Sequence, residues 1–313
     1  MKKITSILLA VTLMFSMAGC GAVSVDGETS KSSDNNSASE GESGNTGDGA
    51  IGLAISTLNN PFFVTLSEGA QAAAKEQNVD LIVVDAGDDA AKQTNDIEDL
   101  ISRNISVLIV NPVDSDAVAP AVKDAVAKGI KVVSVDRVVN GVDVDCAIAS
   151  DNVAGAAAAT EYLVSLIGEG AKVAELQGVS GASATIDRGE GFHNVADEKL
   201  NVVSSQTANF NRSEGMTVME NMLQANADIQ GVFAHNDEMA LGAVEAIGGK
   251  EIVVVGFDAT DDAMTAVSEG RMAATVAQKP DLMGATAVET AVKLIAGETV
   301  DKEIPVEVEL ITE

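Results

Sequence analysis

The 313-residue sequence predicts an α/β protein made of two doubly wound parallel-sheet lobes. Three observations lead there. From residue 51 onward, short β-branched apolar runs alternate with amphipathic stretches of helical length, the pattern of βαβ units around a parallel sheet. About ten such steps occur, too many for one open sheet of ordinary size. Planar polar side chains gather just after several of the apolar runs, where open parallel sheets present their ligand sites.

In chain order, residues 1–19 read as a signal peptide. Lys2 and Lys3 open it, an apolar core runs from Ile4 to Phe15, and Ser16-Met17-Ala18-Gly19-Cys20 forms a small-residue cleavage region. That core is too short to span a bilayer. Its end resembles a bacterial lipobox, with Met17 where Leu is usual, which makes Cys20 the expected lipidation site. Ordinary secretion with an unmodified Cys20 is the alternative. Residues 20–48 are rich in Ser, Gly, Asn, Asp and Glu and have almost no large apolar side chains. Such a composition buries too little surface to fold, so it reads as a disordered acidic linker between the lipid and the folded body.

The first series of strands is expected at 51–55, 81–84, 107–110 and 131–135, with helices at 64–77, 90–103 and 117–128 between them. A second series comes at 147–149, 172–177, 202–205, 231–234, 252–256 and 273–277. Its helices are expected at 152–167, 183–198, 212–225, 237–247 and 261–269. A last helix near 281–296 and one alternating strand at 304–311 close the chain.

Composition narrows the function. Hydrophobic residues make up 46% of the chain, enough for a sizeable core. Acids outnumber bases 48 to 19, a net charge of −29 with no basic run, which argues against nucleic acid as a partner. A repressor of similar architecture would need a basic helix-turn-helix where this chain has a signal segment and an acidic linker. Besides Cys20 the only cysteine is Cys146, so a lipidated Cys20 leaves no disulfide within the chain; Cys146 reads as a small buried hydrophobe. The two histidines, His193 and His235, carry no zinc spacing, and neither a P-loop nor a nucleophile elbow occurs. No enzyme, metal or cofactor is expected.

The residues after the runs point to a sugar. Ser56-Thr57-Leu58-Asn59-Asn60-Pro61-Phe62-Phe63 comes after the first run, Asp136-Arg137 after the fourth, His235-Asn236-Asp237 after the run at 231–234, Phe257-Asp258 after the next and Gln278 after the last. Arg188 and Phe210 come from the second series. Carboxylates accept from a hydroxyl, guanidinium donates to it, and amides do both. Aromatic faces stack on the C–H side of a sugar ring. Three of the six Phe beyond the signal peptide and two of the five Arg fall at these places. Each has a plainer role available: Asp as a helix cap, Asn59 and Asn60 as turn formers, Phe as core, Asp136-Arg137 as a surface pair. Their joint placement raises the odds of a site.

From Ile51 to the end the chain resembles the periplasmic ribose-binding protein family. The motifs are the 56–63 stretch, Asp114-Ser115-Asp116-Ala117-Val118, Asp136-Arg137, Ala149-Ser150-Asp151-Asn152, Arg188-Gly189-Glu190-Gly191-Phe192, Asn236 through Gly242, and Val255-Gly256-Phe257-Asp258. The resemblance implies a type I periplasmic binding protein, its two lobes joined by a three-strand hinge near Ser150-Asp151, Gln278-Lys279 and Glu307-Val308. The lobes become 49–150 with 279–306, and 151–278 with 307–313. The implied pocket is Asn60, Phe62, Phe63, Asp136, Arg137, Arg188, Phe210, Asn236, Asp258 and Gln278, with Phe62, Phe63 and Phe210 sandwiching a pyranose ring. The implied ligand is a monosaccharide, D-ribose first, with allose, galactose or autoinducer-2 as alternatives. The implied partners are an ABC permease and its ATPase. The protein is expected as a monomer, lipid-anchored at the extracytoplasmic face of a bacterial membrane.

Overall fold

The computed structural model describes residues 49–312. The expected signal peptide (1–19), Cys20, the linker to residue 48 and Glu313 lie outside the described residues.

The first lobe opens with β1 (Ile51–Ile55), α1 (Pro61–Gln77), β2 (Leu81–Asp85), α2 (Ala90–Ser102), β3 (Val107–Val110), α3 (Ala119–Ala127), β4 (Lys131–Val135) and β5 (Cys146–Ser150). The second runs through α4 (Asn152–Ile167), β6 (Lys172–Gln177), α5 (Ser183–Lys199), β7 (Asn201–Thr207), α6 (Arg212–Ala225), β8 (Gly231–Ala234), α7 (Asp237–Ile247), β9 (Val253–Asp258), α8 (Asp261–Ser268) and β10 (Ala274–Ala277). The chain then returns for α9 (Pro280–Ile295) and β11 (Glu303–Val306), and crosses once more to β12 (Glu309–Thr312). Two six-stranded sheets result, ordered β11-β5-β4-β3-β1-β2 and β12-β10-β9-β8-β6-β7. The pairings are parallel except for β12, which runs antiparallel to β10 at the edge of the second sheet.

Period-two alternation explains the layering. Ile51, Leu53 and Ile55 face α1 and α9, while Ala54 meets α2 and α3 on the opposite face. In the second sheet, Val232 and Ala234 pack toward α6 and α7, and Phe233 toward α4 and α5. Both faces are covered, which is why these strands read as continuous apolar runs. Cys146 is buried in β5 as a free thiol, its acidity weakened first by burial.

Three elements differ from the sequence expectation. Helix α1 begins at Pro61 instead of 64, because proline lacks an N–H and suits the first helical position after the Asn60 cap. Helix α3 begins at Ala119 instead of 117, because the Asp114 carboxylate accepts the N–H groups of Asp116 (2.9 Å) and Ala117 (2.8 Å) and holds a separate turn there. The single strand expected at 304–311 is two strands, β11 paired with β5 and β12 paired with β10, because Glu307-Val308 carries the chain from one sheet to the other. An alternating pattern fits one strand or two equally well.

The tightest helix contact in the first lobe is α1 against α9. A Cβ built on Gly284 would lie 2.0 Å from the Leu66 carbonyl oxygen, and one on Gly69 would lie 2.2 Å from that of Asp281. Backbone cannot yield as a side-chain tip can. Gly284→Ala is therefore expected to destabilise the first lobe by about 1–3 kcal/mol despite alanine's better helix propensity, read as a lower urea midpoint. An unchanged midpoint would mean the helices can part without cost.

Candidate functional site

The carboxyl ends of β1, β4, β8, β9 and β10 carry the site, each supplying one or two polar groups. On the first lobe, Asn60 caps α1: its side-chain oxygen accepts from the Phe62 N–H at 2.9 Å. Its amide nitrogen remains free to donate. Phe62 and Phe63 come next in the first helical turn, both buried, with rings 5.1 Å apart and perpendicular at 88°. Asp136 ends β4 in the left-handed region (φ 64°), a conformation Asp tolerates better than most residues. Its carboxylate accepts from the Asn111 amide at 3.0 Å and lies 3.6 Å from Arg137 Nε. Arg137 donates to the Pro112 carbonyl at 2.8 Å and stacks over Phe63 at 5.1 Å. Its buried Nε has no hydrogen-bond partner.

On the second lobe, Arg188 projects from α5. It donates to the Asn152 side chain at 2.8 Å and to the His235 carbonyl at 2.6 Å, lies over the Phe257 ring at 3.9 Å, and is 3.6 Å from Asp258. Asn236 caps α7 by accepting from the Met239 N–H at 3.0 Å. Asp258, at φ 130°, accepts from Gln278 at 2.7 Å, and Gln278 in turn accepts from the Ser150 hydroxyl at 2.8 Å. Phe210 sits at φ 59°, costly for a bulky side chain, and its ring lies 5.3 Å from the Arg137 guanidinium of the opposite lobe.

All ten residues singled out from the sequence line one cavity between the lobes, together with Ala184. Its empty space is about 240 Å³, part of it open to solvent.

Comparison with known proteins places this geometry. The family described as "Periplasmic binding protein domain" matches residues 51–299. The chain belongs to that family. The ribose import binding protein of Bacillus subtilis (strain 168) is 47% identical over 315 aligned positions, covering 100% of both chains. The protein of the same name from Escherichia coli (strain K12) is 49% identical over 265 residues, 83% of this chain and 90% of that one. Among solved structures, an ABC transporter solute binding protein from Bacillus halodurans C-125 with bound myo-inositol superposes with a TM-score of 0.81 at 34% identity, covering 86% of this chain and 96% of its own.

In this periplasmic binding protein, several residues behind the cavity were not among the sequence candidates. Asn111 stands just after β3 and ties Ser56, Val135 and Asp136 together (3.2, 3.2 and 3.0 Å). Its place after the apolar run at 107–110 is the same signal that marks Asp136 after the run at 131–135. Asn152 orients Arg188 and lies in the 149–152 motif. Ala184 carries no chemical signal. His235, which has no evident partner in the sequence, meets buried Glu175 at 2.9 Å from 60 residues earlier. An acid in the middle of an apolar strand was its trace.

The electrostatics come down to a count of charges. Asp136, Asp237 and Asp258 are buried beside only two guanidiniums, Arg137 and Arg188. Burial raises Asp136 and raises Asp258 well above the usual carboxylate range, with the arginines pulling both back. Burial also pushes Asp237 from its ordinary 3.8 up to about 6, against hydrogen bonds from Thr275 and Thr260. A carboxyl raised on folding holds its proton longer in the folded state. Its stabilising contribution is whole below the unfolded value and is lost as pH rises through the folded one. Between pH 4 and 7, Asp237 is thus expected to remove up to ~3 kcal/mol of stability from the ligand-free protein. Urea titrations across this range should show a shallower decline in Asp237→Asn than in wild type; parallel curves would exclude Asp237 as the source.

Proposed function

We propose that this chain is an extracytoplasmic solute-binding protein that captures D-ribose between its lobes and delivers it to an ABC permease driven by its ATPase. The observation that carries the proposal is the cavity wall: two carboxylates, two guanidiniums, three planar amides and three Phe rings converge on one cleft between the lobes. A pentose presents hydroxyls in all directions and a C–H face. Asn60, Asp136 and Arg137 would hold it from one side, Arg188, Asn236 and Asp258 from the other, with Gln278 at the hinge and Phe62, Phe63 and Phe210 against the ring. The choice of ribose is supported by the relatives named as ribose import binding proteins, at 47% and 49% identity against 34% for the myo-inositol-bound protein from Bacillus halodurans C-125.

The lobes are 49–150 with 279–306 and 151–278 with 307–313, and they close about the segments near 150–151, 278–279 and 307–308. A sugar bridging both lobes favours the closed state by its differential affinity. The permease would read that closed form, and a lipid on Cys20 would keep the monomeric binder at the membrane.

D-Ribose at 100 times its Kd should add about 2.7 kcal/mol and raise the melting temperature. A shift with allose, galactose or another sugar, and none with ribose, would reassign the ligand. Arg137→Ala or Asp258→Ala should weaken binding by roughly 2–5 kcal/mol, since the partner charge is left buried; near-native affinity by calorimetry removes that residue from the pocket. Metabolic labelling with palmitate should mark the wild type but not Cys20→Ser; label retained in the variant would place the lipid elsewhere, and an unlabelled wild type would mean no lipid.

A further inference from the structure

The turn at 114–118 lines no part of the sugar cavity, yet its contacts cross the cleft. The Ser115 N–H donates to the Gly181 carbonyl at 2.9 Å. The Ser183 N–H donates to the Ser115 hydroxyl at 3.2 Å, and the Ser183 hydroxyl accepts from the Val138 N–H at 3.0 Å. Ser115 and Val138 belong to loops after β3 and β4 of the first sheet, while Gly181 and Ser183 belong to the loop and first turn between β6 and α5 of the second. Ser115 is fully buried.

The fit is close enough to constrain the sequence. A Cβ on Gly181 would lie 1.9 Å from the Asp114 carboxylate. That carboxylate is held in place by the Asp116 and Ala117 N–H groups, so it cannot swing aside without uncapping its own turn. The Ser115 carbonyl is likewise occupied, accepting from the Asn140 N–H at 2.9 Å.

We propose that Ser115, Gly181 and Ser183 form a clasp that holds the two lobes shut by protein–protein hydrogen bonds alone. They are positioning residues: they act on any ligand through the closed population, not through contact with it. This rests on the cleft being the sugar site, but its mechanics do not depend on which sugar. The donors and acceptors are backbone groups and two short hydroxyls, so little side-chain entropy is lost on engaging them. Apparent affinity scales with the fraction of molecules able to close. Once sugar is inside, the clasp must open before it can leave, so its loss speeds escape.

The test is stopped-flow binding of D-ribose to Ser115→Ala and Ser183→Ala, with small-angle scattering of the same proteins free of sugar. The dissociation rate should rise roughly two- to tenfold per hydrogen bond lost, with an association rate no lower than that of wild type, since more sugar-free molecules stand open. Gly181→Val should act in the same direction and more strongly. Without sugar, the variants should scatter with a larger radius of gyration than wild type while their urea midpoints stay within error of it. A dissociation rate equal to wild type in both serine variants, or identical sugar-free scattering, overturns the clasp. If wild type binds no D-ribose, the ribose proposal falls, and the sugar-free scattering still decides the clasp.

Discussion

Burying two guanidiniums and their carboxylates between two lobes is the constraint on which the rest of the molecule depends. Each lobe holds one guanidinium 3.6 Å from its own carboxylate, Arg137 beside Asp136 and Arg188 beside Asp258. Arg137 is anchored by the Pro112 carbonyl but keeps a buried, unpartnered Nε, and its ring contacts come from both lobes, Phe63 on one and Phe210 on the other. Arg188 is fixed by Asn152 and the His235 carbonyl and stands 3.6 Å from Asp258, beyond direct hydrogen-bond distance. Charges taken out of water need well-placed partners to offset the cost. The ligand proposed for the cleft, a polar ring with hydroxyls on every side, would meet that need and so link the electrostatics of the cleft to capture.

The scaffold places these charges by reusing ordinary structural devices. Asn60 and Asn236 cap α1 and α7 through their side-chain oxygens. A cap occupies only one end of the amide: the Asn60 nitrogen stays available to the cavity, and the Asn236 nitrogen donates to the Phe210 carbonyl at 3.4 Å. Asp136 and Asp258 take backbone angles that most residues avoid, and both occur where a strand ends and the chain must turn at once. Gln278 connects Asp258 to Ser150, so the pocket touches two of the three places where the chain passes between sheets. A ligand group on Asp258 therefore bears on the hinge as well as on the cavity.

Much of this was legible because parallel sheets impose a simple rule. Strands buried on both faces read as apolar runs, and the residues just beyond each run lie at one edge of the sheet. Asn60, Asp136, Arg137, Asn236, Asp258 and Gln278 all stand at such positions. Arg188, inside a helix, and Phe210, in a loop after an exposed strand, gained their pocket assignment from family resemblance. Cap and ligand contact are rival readings for a polar residue after a strand; Asn236 caps α7 through its oxygen while its nitrogen points the other way, to the Phe210 carbonyl. The strand expected at 304–311 failed for a different reason: periodicity records which way side chains point, not which sheet the backbone joins.

The sequence by itself determined the fold class, the order of strands and helices, and the chemical character of the cleft, because these depend on local pattern and on the residues that sit at strand ends. Only the tertiary structure decided which residues from distant loops meet. Asn111 with Asp136, Glu175 with His235, and Ser115 with Gly181 and Ser183 are separated by 25, 60 and 66–68 residues. No local propensity encodes such pairs. They exist because two sheets present the same edge to one cleft, and buried polar groups there must find partners across it.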